Sequence, residues 1–237
     1  MDTTYANPYT VAAQPVEARA AFIRKTYTHL AGAVAVFALL EAILLNIPGI
    51  DKMVFSILGT SSYSWLLILG GFTFVSYLAN KWAMSSTSMS TQYMGLGVYV
   101  VAQALISLPL LLLAQHMTGD STLIVKAGGV TAILFLALTL IVFTTKKDFS
   151  FLGGMLKVVG LIAIGLIVIS IFFPSFVTLG LWFSVAMVVF AAGSILYNTS
   201  NIIHHYQTTQ YVAAALGLFA SVALLFWYVL RIFMSRD

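Results

Sequence analysis

The stretch QYVAAALGLFASVALLFWYVLRIF, residues 210–233, is long and apolar enough to cross a bilayer, because a spanning helix needs about 20 mostly apolar residues. Ala213, Gly217 and Ser221 recur at every fourth position, so a helix carries all three on one face. Small residues at this spacing let helix backbones approach closely in lipid. The pattern predicts a last helix packed among others, although alanine is also common in spans that face lipid.

The composition of the 237-residue chain predicts that most of it lies in a membrane. Hydrophobic residues make up 61% of the chain and charged residues 8%, whereas a soluble domain carries about 25% charged residues. Cysteine is absent, which excludes disulfides and thiolate metal sites. The net charge of +4 includes no run of Lys or Arg and indicates loop orientation rather than nucleic-acid binding.

Seven segments are long and apolar enough to be transmembrane helices. Backbone groups in lipid must be hydrogen-bonded within the segment, so we expect an all-α fold with short loops between antiparallel neighbours. The predicted spans are 27–47, 63–81, 93–115, 122–144, 154–173, 176–198 and 210–233.

The distribution of Lys and Arg predicts a cytosolic N-terminus. Seven basic side chains then lie on the inner side and four on the outer side. The inner set is Arg19, Arg24, Lys25, Lys81, Lys146, Lys147 and Lys157, and the outer set is Lys52, Lys126, Arg231 and Arg236. An odd number of spans places the C-terminus on the outer side, whereas a half-inserted segment would leave both termini in the cytosol.

The first 21 residues carry Pro8 and Pro15 and lack the apolar core of a signal peptide. We expect residues 1–21 to form a flexible cytosolic tail and residues 22–237 to form one seven-helix transmembrane domain.

Motifs for catalysis or cofactor binding are missing, including HExxH, GxSxG, the Walker loop and GxGxxG. His204 and His205 are adjacent, so on a helix they point about 100° apart, which is poor geometry for one metal ion. We therefore expect no enzyme, no cofactor and no metal site, and a solvated loop around the His pair.

Glu41 is the one acidic side chain deep within a predicted span, in VAVFALLEAILLN. A carboxyl group in lipid is costly and marks either a functional site or a paired structural one. Burial favours its neutral form, so Glu41 is the candidate for binding a proton within the membrane. The structural alternatives are a protonated Glu41 that hydrogen-bonds a neighbouring helix and a Glu41 that reaches the membrane interface.

Three stretches together resemble the transmembrane Bax-inhibitor-motif family. They are FIRKTYTHLAGAVAVFALLEA at 22–42, TTKKDFSFLGGMLKVV at 144–159 and AAGSILYNTSNIIHHY at 191–206. The resemblance extends over nearly the whole chain from residue 22, and it is strongest to the bacterial YccA-like branch.

The resemblance implies a fold and a function. It implies seven helices, with the C-terminal helix at the centre and six wrapped around it, in the bacterial inner membrane. The YccA-like branch modulates the FtsH membrane protease, so the implied partners are FtsH-type proteases and their associated membrane proteins. Other members of the family leak calcium, so a calcium or proton leak is the alternative function.

The resemblance also identifies two positions that correspond to a gate. In the calcium-leak members, a carboxylate pair that shares a proton gates the pore, and Asn198 and Ser221 occupy those positions here. Neither side chain titrates, so we expect a polar structural seam at 198 and 221 and no carboxylate-gated mechanism.

Overall fold

The computed structural model of the chain describes residues 9–61, 63–85, 88–119, 121–173, 175 and 178–235, and within them it is all-helical. A short 3-10 turn, Val11–Ala13, precedes eight α-helices. These are α1 (Val16–Leu45), α2 (Ile50–Gly59), α3 (Ser64–Ala83), α4 (Met89–Thr118), α5 (Thr122–Thr145), α6 (Leu152–Phe172), α7 (Leu181–His204) and α8 (Tyr211–Met234). The prediction of an all-α membrane protein is confirmed.

Within the described residues, six helices are individually long and apolar enough to span a membrane: α1, α4, α5, α6, α7 and α8. Helices α2 and α3 meet the same requirement only as a pair, and they are bent by 105° at the break between them. The predicted span 63–81 corresponds to α3. The count is therefore six, or seven if the bent pair makes one crossing, and the seven-span arrangement stays a prediction.

The N-terminal segment differs from the expected flexible tail. Residues 1–8 lie outside the described residues, but Val11 is fully buried and its N–H donates to the Tyr206 carbonyl at 2.8 Å. Thr10 forms an isolated antiparallel bridge with Gln207. Helix α1 already begins at Val16, because EARAA favours helix although it is too polar for lipid. From Val11 onward the chain is packed against the connection between α7 and α8.

Helix α8 is the most enclosed helix and packs against α1, α3, α4, α5 and α7. Fourteen of its 24 residues are buried. Its N-terminal half carries consecutive alanines at 213–215, whose small side chains leave room for neighbouring backbones. Helix α6 packs mainly on α7. These contacts suit a C-terminal helix at the centre, which stays a prediction for the complete bundle.

Candidate functional site

Helices α7 and α8 meet at a polar seam formed by Asn198, Gly217 and Ser221. The Asn198 side-chain amide donates to Ser221 Oγ at 2.9 Å and lies 3.3 Å from the Gly217 carbonyl oxygen. The Ser221 hydroxyl in turn donates to that carbonyl at 3.1 Å. The two positions that the family resemblance relates to a gate are therefore in direct contact, through groups that hydrogen-bond but carry no charge.

Gly217 lets the two helices approach at the seam. A Cβ atom at position 217 would lie 3.0 Å from Asn198 Oδ1, which is tighter than ordinary van der Waals contact. Ala213 and Ser221, the other small residues of the predicted packing face, are 6% and 5% exposed. The small-residue face of α8 is thus turned inward, and Gly217 on this face lies against α7.

The loop between α5 and α6 is held against the end of α7 by Ser200. The Phe149 N–H donates to Ser200 Oγ at 2.8 Å, and the hydroxyl donates to Asp148 Oδ1 at 3.2 Å. Asp148 Oδ2 lies 3.1 Å from His205 Nε2, which makes a partly exposed ion pair when the imidazole is protonated. This cluster closes one end of the bundle, beside the packed N-terminal segment.

The predicted solvated loop around the His pair is wrong for His204, which is the last residue of α7, whereas His205 follows the helix and is about half exposed. His204 Nδ1 lies 3.0 Å from the Ser200 carbonyl oxygen, and His205 Nε2 faces the Asp148 carboxyl group. In the part of the chain that the structure describes, no group of three or more His, Asp and Glu side chains is placed to hold a metal ion.

Asp148 lies outside the membrane-spanning helices, and its environment makes its carboxyl group more acidic than that of an ordinary aspartate. Partial burial by itself acts to raise the pKa, but hydrogen bonds from Ser150 and His205 and the charge of His205 outweigh it. Together they lower the pKa of Asp148 from its ordinary value of 3.8 to about 2.

We predict that the loop at 146–151 loosens at low pH. Since the folded pKa is depressed, the contribution of Asp148 to stability is present above about pH 4 and is lost as the pH falls toward 2. Both partners of the ion pair are about half exposed, so its contribution is below about 1 kcal/mol. Amide exchange at Ser150, corrected for intrinsic rates, should accelerate between pH 5 and pH 2.5.

The variant Asp148→Asn should show that faster exchange already at pH 7. Lys147→Gln is the matched control, because Lys147 is exposed in the same loop and should leave exchange unchanged. Equal protection of Ser150 in wild type and Asp148→Asn would contradict this assignment.

Glu41 is buried near the C-terminal end of α1, with 5% of its surface exposed. Neither carboxyl oxygen has a hydrogen-bond partner among the described residues. The side chain forms part of the wall of a cavity of about 890 Å³, which is lined by α1, α4, α5 and α8. Within the described part of the chain, no neighbouring helix hydrogen-bonds Glu41, and its role stays a prediction.

A second polar group, near the middle of α1, escaped the sequence analysis. His29 Nε2 lies 2.9 Å from the Tyr93 hydroxyl, which lies 3.4 Å from the Tyr211 hydroxyl. The Lys25 ammonium lies over the Tyr211 ring, 5.2 Å from its centroid. Tyrosine near the ends of predicted spans was the available signal, because such rings favour the headgroup layer.

The chain is similar to known membrane proteins along nearly its whole length. A family model described as Bax1-I, Inhibitor of apoptosis-promoting Bax1, matches residues 19–237. An uncharacterized protein of Pseudomonas aeruginosa is 31% identical over 172 residues, which cover 70% of this chain and 72% of that protein. Bax inhibitor 1 of Schizosaccharomyces pombe is 29% identical over 215 residues, or 90% of this chain and 76% of that protein.

One relative has a name that states what it acts on. The Escherichia coli K12 protein named Modulator of FtsH protease YccA is 37% identical over 121 residues. The match covers 50% of this chain and 54% of YccA, so it spans about half the length of each protein.

Proposed function

The chain belongs to the Bax1-I family, the inhibitors of apoptosis-promoting Bax1, and from this premise we propose that it modulates an FtsH-type membrane protease by protein contact. The family resemblance seen in the sequence is confirmed by the match over residues 19–237. The observation that carries the proposal is the similarity to YccA, which is named as a modulator of FtsH protease. The proposed location is the bacterial inner membrane, with the N-terminus in the cytosol and the C-terminus in the periplasm.

The contacts at one end of the bundle support a role as a poorly extracted substrate. An ATP-driven protease has to pull an apolar helix bundle out of lipid, and the packed α8 resists this. Val11 adds a local barrier, because burying a valine side chain contributes about 1.5–3 kcal/mol. Residues 1–8 are the proposed handle, and the protein would occupy the protease while yielding slowly.

Deletion of residues 2–8 tests this proposal and leaves every described residue in place. We expect the half-life of the protein to lengthen at least about threefold in cells with FtsH and to stay unchanged in cells without it. A Gly/Ser-rich replacement of the same seven residues is the matched control and should restore turnover, because it restores the length of the handle. Turnover independent of FtsH, together with no co-purification of FtsH from native membranes, would refute the proposal.

A calcium or proton leak is the second candidate, and the unpartnered Glu41 beside a cavity is the observation that favours it. Reconstitution in liposomes with a calcium dye distinguishes the two functions. A pH-dependent flux that Glu41→Gln abolishes would support the leak. Asn198→Asp combined with Ser221→Asp should install pH sensitivity under this hypothesis, and a flat flux across pH 6–8 in that variant would count against it.

A further inference from the structure

The cavity beside Glu41 opens sideways, toward lipid. Helices α1 and α5 provide most of its lining and both pack on α8, which forms the back wall. Val34 on α1 and Leu136 on α5 line the cavity and are 38% and 57% exposed. The cavity therefore reaches the outer surface of the bundle between α1 and α5, and we call it the α1–α5 groove.

The α1–α5 groove is amphipathic along its length. Most of its wall is apolar and includes the rings of Phe37, Phe135, Phe219 and Phe226. Four of its polar side chains, Glu41, Asn46, Gln115 and Ser121, lie where α1 ends and α5 begins, and Tyr27 and Thr131 line it farther along. Glu41 precedes the last residue of α1 by four positions, so it lies about 6 Å from the helix end. A headgroup at the end of α1 would therefore be within reach of Glu41.

Among the described residues, Glu41 lacks the hydrogen bonds that a buried carboxyl group requires. Whether neutral or ionised, a carboxyl group accepts hydrogen bonds through its oxygen atoms. Both oxygens are covered, and neither has a donor in the described part of the chain. Leaving such a group unsatisfied costs several kcal/mol. A small turn of the Glu41 side chain toward the groove would let an occupant provide the missing N–H donors.

The volume of the groove limits what can occupy it. At about 890 Å³, it falls within the range of roughly 300–1,000 Å³ that is typical of small-ligand sites. A 20-residue transmembrane helix, about 10 Å wide and 30 Å long, occupies roughly 2,400 Å³. The groove is therefore too small to enclose a partner helix, and its volume suits the chain of a single amphiphile.

We propose that the α1–α5 groove binds one bilayer lipid with an ethanolamine headgroup, whose primary ammonium donates hydrogen bonds to the Glu41 carboxyl. The acyl chain lies along the aromatic wall, and the headgroup lies at the polar end. A primary ammonium has three N–H donors, whereas the quaternary ammonium of choline has none. Because Glu41 needs donors, we expect the groove to prefer an ethanolamine lipid over a choline lipid that has the same apolar chains. This inference does not depend on the FtsH proposal.

Native mass spectrometry of the purified full chain in detergent tests the preference. The probes are phosphatidylethanolamine, phosphatidylcholine and phosphatidylglycerol with identical acyl chains. We expect about tenfold higher occupancy for phosphatidylethanolamine than for either other lipid, because a charge-assisted hydrogen bond contributes enough for that ratio. Glu41→Gln should reduce the ratio to about one or two.

Two further variants keep the test decisive. Glu17→Gln removes the other carboxyl group of α1, which is exposed, and should retain the wild-type preference. Ala38→Trp fills the groove while keeping Glu41, and it should lower the occupancy of all three lipids. Equal occupancy of the three lipids in wild type, a preference that persists in Glu41→Gln, or unchanged binding in Ala38→Trp would overturn the proposal.

Discussion

Replacing Gly95 by alanine should destabilise the protein by about 3 kcal/mol, because helices α3 and α4 cross at this residue with backbone against backbone. A Cβ atom at position 95 would lie 2.5 Å from the Ala79 carbonyl oxygen and 2.7 Å from the Ala83 amide nitrogen. Ala79 and Ala83 are 0% and 1% exposed, so the whole of α3 would have to move away. In a thermal unfolding experiment in detergent, followed by circular dichroism, we expect the midpoint to fall by roughly 10 °C.

Gly97, in the same helix, provides the control. A Cβ atom at position 97 would meet no atom within 4 Å. Alanine favours the helix interior over glycine by about 1 kcal/mol, so Gly97→Ala should leave the midpoint unchanged or raise it slightly. A midpoint in Gly95→Ala as high as that in Gly97→Ala would show that the α3–α4 crossing is looser than the structure describes.

The length of apolar runs predicted the six long helices because lipid is the solvent for their exposed faces. The same signal could not predict α2, since the ten residues Ile50–Gly59 are too few to span a bilayer. The same signal also placed the start of the first span at residue 27, whereas α1 begins at Val16. Hydropathy measures preference for hydrocarbon, whereas α1 extends over 30 residues, about 45 Å, and a bilayer core is about 30 Å thick.

The sequence likewise predicted some parts of the candidate sites and not others. Glu41 was found because a carboxyl group within an apolar run is costly, but the groove beside it depends on the relative positions of four helices. Asp148 and His205 are 57 residues apart and meet only because Ser200 holds the loop against α7. No pattern in a single sequence specifies such a contact. The adjacency of Asn198 and Ser221 was implied by the family resemblance alone.

Replacing Asn198 by aspartate should also destabilise the protein by about 3 kcal/mol. The seam presents oxygen atoms to the Asn198 amide, which donates hydrogen bonds to them, and a carboxylate cannot donate. The Asn198 amide nitrogen lies 3.0 Å from the Ser194 carbonyl oxygen and 3.3 Å from that of Gly217. An ionised carboxylate has no proton to donate to either of these carbonyl oxygens. The Ser221 hydroxyl could turn to donate to it, which offsets only part of the loss.

Asn198→Leu separates the two contributions, because it removes the donor without adding a charge. We expect Asn198→Leu to lower the free energy of unfolding by about 1–2 kcal/mol, measured by thermal unfolding under the same conditions. Asn201→Asp, at the same end of α7 but outside the seam, should have a smaller effect than Asn198→Asp. If Asn198→Asp were as stable as wild type, the seam would tolerate a carboxylate, and the neutral pair at 198 and 221 would no longer argue against a gate there. A large loss in Asn198→Asp that exceeds the loss in Asn198→Leu would mean that a carboxylate gate needs a second change, at Ser221 or around it, before it can form.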